Sequence, residues 1–306
     1  MGTGVFRSSY LPFGSLCVVV ALLVSFAGEA SAQLPQLTIP EPQSAESPDA
    51  RWVGHFTVLS ANSLLSGVTA GSVRKIRGGS FTEGFTRGLV GGGAVYIGKT
   101  VAVQRWDGAG LVGREIAAVG SSAIRNAGEG RGALERLTLP LGPVRLHVRP
   151  NSPGVISASV DLHSIFWTAY GILEPALHFD AGASLSAGAP VFRTRDQTFV
   201  WRDGGSRAMG MALAGTIFVA EVPQQSADDF ARLFAHERVH VVQNDHLFHT
   251  IGDPLESWLL RRIPGVSDLS RVFDPNVLLW ALAYPGGRML HHRQRPWEME
   301  AEFLAK

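Results

Sequence analysis

The chain has 306 residues, 45% of them hydrophobic and 17% charged, a balance that suits a globular protein of one large or two small domains with a sizeable core. A formal net charge of +1, with only short basic clusters, argues against a nucleic-acid backbone or an acidic polymer as the main partner. The single cysteine, Cys17, lies inside an apolar run, so no disulfide is expected to hold the mature chain together.

In chain order, residues 1–32 read as a secretory signal, with Arg7 first, an apolar run from Leu16 to Gly28, and the small-residue site Ala30-Ser31-Ala32. The run is shorter than the ~20 residues of a transmembrane helix. Cleavage near Ala32 and export to a periplasmic or extracellular location are therefore expected. Residues 33–53, rich in Pro, Ser and acidic side chains, read as an extended linker. Residues 54–135 are rich in Gly and Ala and predict a buried layer of closely packed helices. The stretch from Trp52 to Val73 is too polar, and Gly88 to Gly98 too short, to span a bilayer, although membrane association stays open.

Residues 136–224 change to alternation, as in "VRLHVRP", "VISASVDLHSIFW", "ALHFDAGASLSAGAPVF" and "MGMALAGTIFVAEV", and predict a mostly antiparallel sheet. Residues 225–306 predict helices separated by Pro and Gly. The first is long, with Ser226 as its N-cap and Asp228 and Asp229 in its first turn. The fold class is α+β.

The long helix carries "FAHERVHVVQNDH", residues 234–246. His236 and His240 lie one turn apart on one face and suit two corners of a zinc tetrahedron. Glu237, beside that face, suits a general base that takes a proton from a metal-polarised water. Apolar residues cover most of the circumference, so this helix should be central, and a metal would satisfy two imidazoles and a carboxylate that are otherwise costly to bury.

For a third ligand the sequence offers two candidates. His246 follows His240 at the spacing of the metzincin peptidases, HExxHxxGxxH, but Gln243 stands where that pattern has glycine. A continuous helix would carry His246 about 240° around from His240, away from the metal. Only a break at Asn244-Asp245, with Met289 as a methionine turn, would reverse this. The second candidate is "PWEMEAEFLA", where Glu298, Ala301 and Glu302 resemble the ExxAD element of gluzincin peptidases, especially the integral-membrane prenyl-protease group. That resemblance implies Glu298 as the third zinc ligand and Glu302, in place of Asp, as the acid that steadies a ligand histidine. Glu300 points elsewhere on the helix and reads as a solvated residue. "HERVHVVQ" is also similar to the HExxHxxQ of bacterial metallopeptidase domains in exported proteins; Gln243 either hydrogen-bonds beside the metal or caps the helix face.

Two further features read as bystanders. "GAVYIGKT", Gly93 to Thr100, formally matches a phosphate-binding loop, but its apolar interior suits a Gly-packed helix, and no nucleotide is expected. His291 and His292, with Arg288, Arg293 and Arg295, form a basic patch; one of them, or Tyr284, would suit an oxyanion, though a solvated loop is the simpler reading. The expectation is an exported zinc-dependent metallohydrolase, a peptidase acting on a peptide or protein. His236, His240 and Glu298 hold Zn2+, and Glu237 is the base. Its rivals are an envelope scaffold or binding protein with a structural or vestigial metal site, and a membrane-embedded peptidase.

Overall fold

A computed structural model describes residues 48–150, 156–195, 201–203, 206–221, 225–252, 273–274 and 295–306. The signal segment, most of the linker, and the patch with Tyr284, Met289, His291 and His292 lie outside the described residues.

Helix α1 (Pro48–Ile76) begins within the segment expected to be a linker. Proline fits the first helical position, and Asp49 in the first turn favours the helix dipole. Helices α2 (Phe81–Ala102) and α3 (Ala109–Glu129) complete a helical layer whose packing depends on glycine. A Cβ on Gly92 would meet the Asn62 carbonyl of α1 at 2.5 Å, and one on Gly98 would meet the Gly113 carbonyl of α3 at 2.5 Å. The backbones touch there, closer than side chains would permit.

The middle of the chain forms more than the single sheet expected. Strands β1 (Leu137–Leu141), β2 (Val144–Val148) and β3 (Ile156–Asp161) make an antiparallel meander that β10 (Phe273–Asp274) joins parallel to β3. A second, mixed sheet has the order β4-β5-β9-β8, from β4 (His178–Phe179), β5 (Val191–Thr194), β9 (Thr216–Ala220) and β8 (Gly210–Leu213). In it β5 and β9 run parallel. A separate hairpin pairs β6 (Trp201–Asp203) with β7 (Ser206–Ala208).

Two stretches read as strands are helices, α4 (Leu162–Leu173) and α5 (Ala181–Ala187). Each starts at an aspartate cap: Asp161 accepts from the backbone N–H groups of His163 and Ser164, and Asp180 from that of Ala183. These caps satisfy helix-end donors and override a weak alternation. The structure is α+β. Among the described residues no helix is long and apolar enough to cross a membrane.

Helix α6 (Ala227–Leu247) runs through the centre. Ser226 caps it, accepting from the Asp229 N–H at 3.1 Å. Val241 joins the core of Val191, Ile217 and Val219, Val242 that of Val95 and Ile124, and Val239 that of Tyr96, Ala301 and Leu304. Each valine, fully buried, contributes roughly 1.5–3 kcal/mol of apolar burial. Arg114 of α3 pins the far end of α6 through Asp245, at 2.6 Å from its Nε. A short π-helical turn (Phe248–Gly252) follows, and the described chain ends in helix α7 (Pro296–Leu304), which packs on α6.

Candidate metal centre

His236 and His240 project from one face of α6, and Glu298 meets them from the first turn of α7, where Pro296 starts the helix and the dipole favours a carboxylate. The Nε2 atoms of the two histidines are 2.9 Å apart, and Glu298 Oε2 lies 3.1 Å from His240 Nε2 and 3.3 Å from His236 Nε2. Tetrahedral bonds of about 2.0–2.1 Å put ligand atoms about 3.3 Å apart, so this triangle suits a small divalent cation. The donor set, two imidazoles and a carboxylate, could hold a metal. All three side chains keep some solvent exposure, 22% for His236, 14% for His240 and 11% for Glu298.

Glu237 is buried against the sheet. Its carboxylate accepts from the Ala212 N–H of β8, and a Cβ on Gly210 would strike Glu237 Oε1 at 2.6 Å. Glu237 Oε2 is buried with no hydrogen-bond partner. Burial pushes this carboxyl above the usual range and Glu298 adds to the rise, while His240, His236 and the Ala212 N–H pull the other way. Burial alone would lower His240, but the hydrogen bond to Glu298 and the charges of Glu237 and Glu298, with Gln243, outweigh it and raise the ring to about 9. The field of the site thus favours added positive charge, which a divalent cation supplies more fully than a proton.

The other candidates fall elsewhere. Helix α6 does not break at Asn244-Asp245, and His246 points away from the donor set, with its Nδ1 2.9 Å from Ser121 Oγ on α3. Burial and the nearby Lys99 charge lower His246 to about 3, so it stays neutral beside Ser121. Glu302, expected as the supporting acid, is exposed. Glu300, expected to be solvated, is the acid that reaches the interior.

Gln243 Nε2 donates to Glu300 Oε2 at 2.8 Å and to the Trp297 carbonyl at 3.0 Å, and Gln243 Oε1 lies 2.7 Å from His240 Nδ1. Lys99 Nζ donates to both Glu300 oxygens at 2.8 and 2.9 Å, and Asn62 Nδ2 to one of them at 2.7 Å. Burial works against the Glu300 charge, but Lys99 and the hydrogen bonds from Lys99, Asn62 and Gln243 hold its carboxyl below the usual range.

The helix wheel of α7 alone missed this, because Glu298 faces α6 while Glu300 reaches Lys99 and Asn62 on the helical layer. One signal was present. Lys99 is the one charged residue in the apolar, Gly-rich stretch from Gly88 to Ala102, and a buried lysine calls for a buried acid. The same residue disposes of the phosphate-loop pattern, since Gly93 to Thr100 is helix interior and Lys99 is committed to Glu300. Comparison with known proteins finds no family model, no curated protein and no solved structure that matches the chain.

Proposed function

We propose that the protein is a zinc-dependent metallohydrolase acting on peptide bonds, with His236, His240 and Glu298 as metal ligands and Glu237 as general base. The observation that carries this reading is the convergence of His236 Nε2, His240 Nε2 and Glu298 Oε2 within 3.3 Å, beside a glutamate with an orphaned buried oxygen. The three donors keep some solvent exposure and Glu237 lies against them, which suits a metal that shares its shell with water.

Zinc, when bound, supplies Lewis-acid polarisation of a carbonyl and lowers the pKa of water. The chain's own residues do the rest. Glu237 takes the proton of the attacking water and returns it to the leaving amine nitrogen. The Ala212 N–H fixes the Glu237 carboxylate for this task. Strand β8 ends its sheet among the described strands and turns that N–H toward Glu237, so an extended peptide laid along this edge would pass the base.

The test compares metal content and cleavage of unstructured protein substrates for wild type, Glu237→Gln and Glu298→Ala. The wild type is expected to carry equimolar zinc and cleave. Glu237→Gln should keep zinc and lose roughly a hundredfold or more in turnover; Glu298→Ala should lose both. A wild type that neither carries nor takes up zinc, or a Glu237→Gln variant with unchanged turnover, overturns the reading.

A further inference from the structure

We propose that Gln243, Glu300 and Lys99 form a positioning relay that fixes the ring of His240, holding a proton on its Nδ1 so that the Nε2 lone pair is the one offered at the metal centre. The inference rests on the metallohydrolase reading for its purpose, but its geometry stands on the hydrogen bonds themselves.

The argument runs inward from Lys99, which is 3% exposed. An ammonium has only donors, and three acceptors surround it: both Glu300 oxygens, and Asn62 Oδ1 at 2.8 Å. Asn62 is thereby oriented, its amide nitrogen left to donate to Glu300 Oε1. With Lys99 and Asn62 in place, Glu300 Oε2 accepts from Gln243.

The orientation of the Gln243 amide follows in turn. Its partners on one side are the Glu300 carboxylate and the Trp297 carbonyl, both acceptors, so the nitrogen must be on that side. Its oxygen then faces His240 Nδ1 at 2.7 Å, and because an amide oxygen cannot donate, the ring nitrogen must carry the proton. In a neutral imidazole that leaves Nε2 as the unprotonated atom, and Nε2 is the atom that meets His236 and Glu298. No donor in the relay is left to choose a different arrangement.

The relay has a second property. The charge of Glu300 is cancelled where it arises, by Lys99, and an amide lies between it and the imidazole. The metal centre receives orientation without another negative charge. Gln243 and Glu300 are therefore positioning residues, and the helical layer, through Asn62 and Lys99, takes part in building the site.

The test uses the full chain with Gln243→Met, which removes the acceptor at nearly the same volume, and Gln243→Glu/Glu300→Gln, which restores an acceptor at Nδ1 but moves the buried carboxylate from Lys99 to the imidazole. Two quantities are read: the hydrogen-bonded Nδ1–H signal of His240 by NMR of histidine-ring nitrogens, and zinc affinity by competition with a chelator. In the wild type the Nδ1–H signal should be protected and zinc should perturb Nε2. Gln243→Met should lose that protection and bind zinc roughly 10–100-fold more weakly. The double variant should recover the protected Nδ1–H signal.

A wild type without a protected Nδ1–H, or a Gln243→Met variant that keeps the signal and the zinc affinity while losing only stability, overturns the relay. Failure of the wild type to bind zinc would instead strike the proposed function, and the NMR signal would still decide the relay.

Discussion

Toward the mixed sheet, helix α6 offers Val241 to Val191, Ile217 and Val219; toward the helical layer and α7 it offers Gln243 and His246 to Glu300, Ser121 and the Lys99 charge. The first contact is dry and non-directional, so it fixes how close the helix sits but not where a particular nitrogen points. The second adds hydrogen bonds to the apolar packing of Val239 and Val242, and each hydrogen bond fixes an orientation. The aim of His240 therefore comes from the polar side. Glu237 is the exception on the sheet side, held by one backbone N–H of β8 in space left by Gly210.

Substitutions on the two sides should separate these roles. The largest effect is expected from Lys99→Met, which leaves Glu300 buried without its cation and should cost about 3–5 kcal/mol in urea unfolding, with weakened zinc uptake. Val241→Ala, on the apolar side, should cost about 2 kcal/mol through its cavity yet leave the zinc affinity of the folded protein unchanged. Loss of affinity there would break the division drawn above.

Next is the pH dependence set by His246. Its ring titrates near 6.5 when unfolded and at about 3 when folded, so between those values the unfolded chain binds more protons. The stability is fully present above the unfolded value and falls as pH drops toward 3, by up to about 1.4 kcal/mol per pH unit. Urea melts of wild type and His246→Asn at several pH values should show a flatter slope in the variant. The smallest effect is expected for Glu302→Gln, an exposed change that should stay within about 0.5 kcal/mol and leave zinc binding intact.

The parts of the site carried by one helix were legible in the sequence. The spacing of His236 and His240, the Ser226 cap and the burial of α6 all follow from local pattern, and Gln243 in place of glycine signalled that His246 would turn away. Glu298 was legible through the resemblance of "EMEAE" to a known ligand element. The supporting acid was not. Assigning Glu302 over Glu300 treated α7 as if it had one neighbour, when it docks against α6 and also reaches Asn62 and Lys99. The Gly-rich segment read correctly as a packed helical layer, but nothing local showed that its glycines bring Asn62 and Lys99 together. In the fold, alternation gave way to α4 and α5 wherever an aspartate could cap a helix.

The separation of the partners along the chain also sets what the donor set depends on. Asn62 and Glu300 are 238 positions apart and Lys99 and Glu300 201, whereas His236 and His240 are neighbours on one helix. Contacts of long sequence separation carry a larger loop-closure cost than contacts within one helix. The histidine pair needs only that α6 be helical, whereas Glu298 is brought in by α7, whose Glu300 is held by the helical layer. The complete donor set thus depends on contacts between distant parts of the chain, and a metal held there would stabilise α7 in its docked position.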